Sequence, residues 1–461
     1  MRYLKSLVVL LLTANSLCVA QEIEWDPRVE MGLQYNVESN LFWSISDDFA
    51  PEVGFQTDRD WWEAYVEPGL NAKTNLLGGE VEFDISAVAS LTASSDPYDF
   101  EDTGRILLET AALTYSSMIS DWDVEVSLGA QEYSVGSGML IENGASNGFE
   151  RGALKLGPRK AWELAAIAGI ERNGFKAEAY FLDPRELNSN NTNNQIAGIV
   201  AEYAREDVGR IGATLGRVVQ SDAPYPQVPP GGTGAPIITP GAREGLNYLN
   251  VFGALEPGTI GSGGFASFDL TVERNDDIDL EAWAGRVEVG WDFKHVPWKP
   301  RVKYGFQTFS GDDPTTPELE RFDPLYYPGS PGRWGTGSKA SMVLINTNVN
   351  AHQFEVALYP TPRDFVTAYY SHTRANELGS PLQFGQATRV DFADGVPVVF
   401  SGVADEHLSD DFFVKYTRVV TPNVFLTAGV SVSLPGDGYD QLANGNAETW
   451  SGGIFNLVVA Y

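Results

Sequence analysis

The 461-residue chain has one cysteine, Cys18. It lies in a segment with the marks of a secretory signal: basic Arg2 and Lys5, an apolar run Leu7 to Leu12, and the small-residue stretch Cys18-Val19-Ala20 ahead of Gln21. Residues 1–20 are thus expected to be removed, leaving 21–461 without a thiol. That excludes a disulfide scaffold and a thiolate metal site. Asn15-Ser16-Leu17 lacks the small residue of a lipoprotein signal, so lipidation at Cys18 is not expected. Beyond the signal no apolar run approaches the roughly 20 residues of a spanning helix. Basic residues are also scarce, 31 against 62 acidic. Loss of Arg2 and Lys5 leaves 29 against 62, a charge of −33, which disfavours nucleic acid as a partner. The acidic surplus reads as solvated loop surface, with divalent cations bridging loops or anionic lipid as the functional alternative. Histidine is rare too. None of His295, His352, His372 and His407 lies in a catalytic motif and no His-Glu-x-x-His occurs, so no enzyme is expected. A first strand beginning by Val29 leaves no room for the plug domain of a TonB-dependent transporter.

What the chain has is alternation. Val29, Met31, Leu33, Tyr35 and Val37 are apolar, with Glu30, Gly32, Gln34 and Asn36 between them. The same period of two recurs from Glu80 to Leu91 and from Trp122 to Leu128. In lipid every backbone polar group needs a partner, so without spanning helices a membrane protein must be a closed barrel. The end agrees: Phe455, Leu457, Val459 and Tyr461 form an apolar face finishing on an interfacial aromatic. Strands are expected to begin near residues 29, 62, 80, 105, 122, 149, 174, 195, 209, 246, 265, 280, 300, 346, 364, 410, 423 and 449. The fold predicted is all-β: one antiparallel transmembrane barrel of about 18 strands over 21–461. Short connections (Thr74 to Gly78, Lys294 to Lys299, Tyr359 to Arg363) alternate with long ones (Ser44 to Asp60, Gln220 to Gly245, Gly311 to Ile345, Asn376 to Ser409), placing turns and both termini in the periplasm. Lys160 to Ile170, for its Ala, Leu and Glu content, reads as a short helical insert in a periplasmic turn. The Pro/Gly-rich stretch Pro224 to Pro240 reads as an irregular loop, either a surface lid or a fold into the lumen.

With the polar phase inward, the lumen is expected to carry Glu30, Glu63, Glu67, Glu80, Glu82, Asp84, Asp123 and Glu125 from early strands. Arg105, Arg151, Lys155, Arg210, Arg286, Arg301, Lys303 and Lys415 follow, concentrated later, which predicts an acidic wall facing a more basic one. Pairing of these charges across the lumen is the structural alternative. Tyr65 and Tyr180, also inward, offer stacking surface or simple packing. Asp312, Asp313 and Asp323 form a carboxylate group able to ligate Ca²⁺, or to cap turns before Pro314 and Pro324. No other cofactor is expected.

The run Tyr304 to Pro328, with Ser-Gly-Asp-Asp at 310–313 and Phe-Asp-Pro-Leu-Tyr at 322–326, resembles a motif of the alginate-export porin family. Gly129-Ala130-Gln131 is similar to a Gly-Arg-Gln of that family, with Ala130 in place of the arginine. The resemblance implies an eighteen-stranded outer-membrane barrel in a Gram-negative bacterium. It also implies contact with outer-membrane lipid and lipopolysaccharide, and assembly through a C-terminal strand ending at Tyr461 by the barrel-assembly machinery. The function expected is a porin passing small polar or charged solutes, such as oligosaccharides or organic acids, by diffusion. Export of an acidic polysaccharide, and a secreted β-rich adhesion or carbohydrate-binding protein, are the alternatives.

Overall fold

The computed structural model describes residues 23–49, 54–98, 101–232, 234–328, 335, 344–383, 392–393, 396–397 and 402–461. The signal segment with Cys18 lies outside them. Eighteen strands form one sheet closed on itself: β1 Glu24–Ser39, β2 Arg59–Leu76, β3 Gly79–Ala93, β4 Thr103–Ile119, β5 Trp122–Gln131, β6 Trp162–Arg172, β7 Phe175–Asp183, β8 Gln195–Arg205 and β9 Gly209–Gln220 make the first half. The second half is β10 Asn247–Ile260, β11 Gly264–Asn275, β12 Leu280–Asp292, β13 Arg301–Phe309, β14 Val349–Thr361, β15 Asp364–Ala375, β16 His407–Thr421, β17 Val424–Pro435 and β18 Trp450–Ala460. Every neighbour pair is antiparallel, and closure is direct: β1 pairs with β18 from Glu30↔Ala460 to Ser39↔Ser451. Closure removes the sheet edges that lipid cannot satisfy.

The expected phase is realised on the outer wall. Met31, Leu33, Val126, Leu128, Val287, Val289, Val430 and Phe455 are exposed there, while Gln34, Asn36, Glu63, Ser127, Thr214 and Arg286 are buried on the inner face. Connections at one end are tight, such as Leu77-Gly78 and Asn173-Gly174, whose residues all have positive φ. Two successive left-handed residues twist a hairpin in the sense its strands require.

Two expected elements are wrong. Residues near 149 form no strand but a single 3-10 turn, Phe149–Arg151, inside a long connection. Lys160 to Ile170 is no helix: Trp162–Arg172 is β6. A bulge opposite Gly129 to Gln131 explains the disguise. It turns Trp162 into the interior and Leu164 to the outside, so the apolar residues 162 and 164 do not share a face. A second bulge, at Glu109 and Thr110 opposite Ile85 to Ala87, accounts for apolar residues on both phases of β4. Ile106 and Leu108 face out before it and Leu113 after it.

The long connections are all at the other end, and their described residues do not stand clear of the barrel. Their apolar residues, among them Leu41, Trp43, Met139, Leu140, Ile141, Phe322, Leu325, Tyr326 and Tyr439, pack against inward residues such as Trp162, Tyr180, Phe252 and Trp450 in one buried cluster. Near the seam Trp43 stacks on Tyr439 at 4.3 Å and meets Trp450 edge-on at 5.3 Å. The two indoles donate to Ser433 Oγ at 2.9 Å and Glu38 Oε2 at 2.8 Å. Trp450→Ala removes a fully buried indole, at a cost of about 3–5 kcal/mol. The expected result is a lower temperature for loss of heat-modifiable gel mobility; an unchanged temperature counts against this plug as a stabiliser.

Candidate pore and its charged constriction

The lumen is narrowed by the connection between β5 and β6, residues 132–161, which inward carboxylates hold by its backbone. Glu63 Oε2 on β2 accepts the Lys155 and Leu156 amides at 2.9 and 2.8 Å. Glu109 Oε1 on β4 accepts those of Lys160 and Ala161 at 2.8 and 2.7 Å. Lys155 pairs with Glu38 and lies 4.7 Å over the Trp61 ring. Arg185, from the connection after β7, pairs with the other oxygen of Glu109 at 3.1 Å. Arg151 donates to the carbonyls of Arg185 and Glu186 at 2.9 and 2.8 Å. Arg159, fully buried, donates to Ser90 Oγ and to the carbonyls of Ser146 and Gly152. Burial and the nearby Arg151 guanidinium push Arg159 down to about 10, which leaves it cationic at neutral pH.

Arg151 and Lys155 are therefore in the lumen but on this infolded connection, not on a strand as expected. Their charge is directed at the protein's own backbone and carboxylates. Sequence periodicity did not mark Glu38, Glu109, Arg159 or Arg185. The sign that was available is Asn173-Gly174, the strongest short hairpin signal, which demands a strand just before it and so frees 132–161 to be a loop.

The other candidates face inward from strands, yet the opposed acidic and basic walls do not form. Each basic group except Lys415 is compensated by a nearby carboxylate, which lies in its own wall or, for Arg105, on the infolded connection. Arg286 pairs with Glu288 at 2.8 Å, Lys303 with Glu288 at 3.3 Å and Glu355 at 3.5 Å, and Arg301 with both oxygens of Asp292 at 2.5 and 2.7 Å. Arg210 pairs with Glu202 at 3.3 Å and Arg105 with Glu150 at 3.0 Å. Only Lys415 among the candidate cations makes no ion pair within the described residues. On the acidic side Arg28 takes Asp84 and Lys73 takes Glu82. Glu30 accepts from the Tyr65 hydroxyl and Glu67 from Ser86 at 2.7 Å, and neither makes an ion pair among the described residues. Glu80 is 3.9 Å from Lys73, and Asp123 and Glu125 stand on the inner face of β5. A polar cavity of about 470 Å³ beside the infolded connection is lined by Glu125, Glu132, Glu142 and Glu178, with Lys160 and Lys176. Tyr180 is bonded to Tyr248 at 2.8 Å and, like Tyr65, is buried, so both pack rather than present a stacking face.

The connection between β13 and β14 also enters the lumen. Ser310 Oγ takes the Trp283 amide at 3.0 Å and donates to the Glu320 carbonyl at 2.6 Å. Phe322, Leu325, Tyr326 and Tyr327 are buried, and the Tyr326 amide donates to the Leu140 carbonyl at 2.8 Å, joining this connection to the first. The root of Pro224 to Pro240 joins them: Tyr225–Gln227 pairs with Ile237–Thr239, and the Tyr225 hydroxyl donates to the Arg321 carbonyl at 2.8 Å.

Residues 271–440 match the alginate export family. That span runs from within β11 to the turn after β17 and contains the Ser310 to Tyr326 motif, whose side chains here knit the loops together inside the barrel. No curated protein matches the chain by sequence. Among solved structures it is similar to OpdK from Pseudomonas aeruginosa, at 11% identity and a TM-score of 0.51 over 95% of this chain and 99% of that one. OccK9 (OpdG) from Pseudomonas aeruginosa gives 12% and 0.56 over 94% and 98%, and OccAB2 from Acinetobacter baumannii 10% and 0.51 over 95% and 98%. At such identities the likeness to OpdK, an outer-membrane protein, and to the other two is one of fold. The closed 18-stranded barrel, its apolar outer wall and the alginate-export match place the chain in the outer membrane of a Gram-negative cell.

Within the alginate-export span the expected calcium ligands do not converge. Asp312 accepts the amides of Val228 and Glu320, both at 2.8 Å. Burial raises its pKa, which those amides only partly offset. Asp313 caps its own turn through the Thr315 hydroxyl and amide, which hold it below the usual carboxylate range. Asp323 is taken by Arg243 at 2.6 Å. Turn capping and loop anchoring account for all three. Outside the span, Ala130 is buried. Gly144-Ala145-Ser146-Asn147-Gly148 does have the Gly-x-Ser-x-Gly spacing of a hydrolase elbow. The context is missing, for Ser146 lies in a loop, takes a bond from Arg151 at 3.0 Å and is followed only by the 3-10 turn Phe149–Arg151, not by an α-helix.

Proposed function

We propose that the chain is a diffusion channel for small polar solutes whose fixed charge leans towards cations. The observation that carries this is the pairing within walls: Arg286, Arg301 and Lys303 are each matched by carboxylates, whereas Glu30, Glu67, Asp123 and Glu125 face the lumen and make no ion pair among the described residues. Unmatched charge in a narrow, low-dielectric pore sets ion preference. The infolded connections suit solutes of the size of a small oligosaccharide or organic acid. The alginate-export match favours a second reading, passage of an acidic polysaccharide, for which the arginines would have to leave their carboxylates and face the polymer.

The test is the reversal potential of the refolded protein in a planar bilayer under a salt gradient, with acidic and neutral oligosaccharides added in turn. Discrete channels that prefer cations and are not blocked by acidic sugars are expected. Anion preference with block by acidic oligosaccharides overturns this reading in favour of the second.

A further inference from the structure

Three of the four histidines converge on the outer wall of β13 to β16, which the channel reading does not use. His352, His372 and Asp410 stand on adjacent strands in register, His352↔His372↔Asp410. They share the outward face of Phe354 and Phe412. His407 opens β16 at an odd position, and the odd residues of that strand, such as Asp411 and Phe413, face inward. A bulge between Thr373↔Ser409 and Arg374↔His407 reverses that phase and brings His407 onto the outer face, with its ring 4.9 Å from that of His372. His372 Nδ1 is 2.9 Å from Asp410 Oδ1 and His407 Nε2 is 3.1 Å from Asp410 Oδ2. The ligand atoms of these three side chains lie within 4.8 Å of one another, and no other such trio occurs among the described residues.

We propose that His372, His407 and Asp410 bind a divalent transition-metal ion of the zinc class. Two imidazole nitrogens and one carboxylate oxygen form a donor set that selects Zn²⁺ and its neighbours over Ca²⁺ or Mg²⁺. Bonds of about 2.0–2.1 Å at tetrahedral angles separate ligand atoms by about 3.3 Å; the spacings of 2.9 and 3.1 Å, one to each oxygen of Asp410, are near that, and the trio must close from a spread of up to 4.8 Å for all three to reach one ion. The outer support is present as well, since the Tyr370 hydroxyl donates to Asp410 at 2.7 Å and holds the carboxylate in place. An anionic Asp on a lipid-facing wall is unfavourable without compensation, and a cation there supplies it. The three residues sit by the loop ends of β15 and β16, within an aromatic girdle of Tyr304, Phe306, Phe354, Tyr370 and Phe412. The ion would fasten two rim strands across the bulge, with water as its fourth ligand.

The test uses the full refolded chain in detergent, free of any affinity tag and stripped with a chelator, titrated with ZnCl₂ by calorimetry and examined by X-ray absorption. One zinc per chain with a nitrogen and oxygen shell containing two imidazoles is expected. His372→Ala with His407→Ala should abolish that binding and His295→Ala, in a short turn, should leave it intact. Tyr370→Phe should weaken it by about 10-fold, as loss of an outer partner does. If the double variant loses heat-modifiable mobility and so is not folded, the near-isosteric Asp410→Asn replaces it, with loss of binding again expected. No zinc uptake by the wild type, or uptake equal in the folded ligand variant, overturns the proposal.

Discussion

Glu109→Ala is expected to open the channel. Glu109 is almost fully buried, and its carboxylate holds three donors: the Lys160 and Ala161 amides and the Arg185 guanidinium. Alanine leaves a guanidinium and two amides buried without this acceptor. Breaking one side of a buried ion pair costs about 3–5 kcal/mol. The barrel ladder is untouched, so the strain falls on the connection 132–161, which can relieve it by leaving the lumen and hydrating those groups. The measurement is single-channel conductance, where a rise with more frequent large openings is expected. Heat-modifiable mobility should persist, showing that the barrel survives. An unchanged conductance in a folded barrel would mean that Glu63, with the Lys155 and Leu156 amides and the Lys155 to Glu38 pair, anchors the connection by itself. Glu63→Ala in the same background then separates the two anchors.

The barrel, its closure through Tyr461 and the inner and outer faces were legible because lipid enforces a period of two without relief, whereas the count of eighteen held because a strand expected near 149 and absent offset the unread β6. The misses occur where that enforcement stops. Bulges at Glu109-Thr110, after Trp162 and before Ser409 shift the phase by one residue, and no composition marks them. Two of these three lie at sites described above: one carries the loop-holding carboxylate and another turns His407 outward. The infolded connections escaped for a different reason. A loop that fills a lumen buries aromatics such as Tyr326 and Trp43 without any periodicity, and its basic residues are indistinguishable in sequence from strand residues that line a pore. Inward charge was legible, whereas its pairing was only half so. Arg286 and Glu288, like Lys176 and Glu178, are two apart on one strand and so share a face by construction. Lys303 reaches Glu288 only through the pairing of β12 with β13.

That arrangement makes Glu288→Gln the sharpest test of which charge governs the pore. Glu288 is one carboxylate held between two cations, Arg286 at 2.8 Å and Lys303 at 3.3 Å. Neutralising it removes one negative charge and takes the charged acceptor at 2.8 Å away from Arg286, which is 5% exposed. Lys303 keeps Glu355 at 3.5 Å. The reversal potential is therefore expected to move towards the anion side, and block by acidic oligosaccharides should appear or strengthen. Arg286→Gln is the contrasting variant: Lys303 still meets Glu288, so the shift should be small and towards cations. The two variants alter charge at neighbouring positions of one strand, so a general disturbance of the barrel would move both potentials alike, whereas local pairing moves them in opposite directions and by unequal amounts. Equal and opposite shifts would show that Arg286 and Glu288 act as independent lumen charges, and the pairing within the wall would then have no part in ion preference.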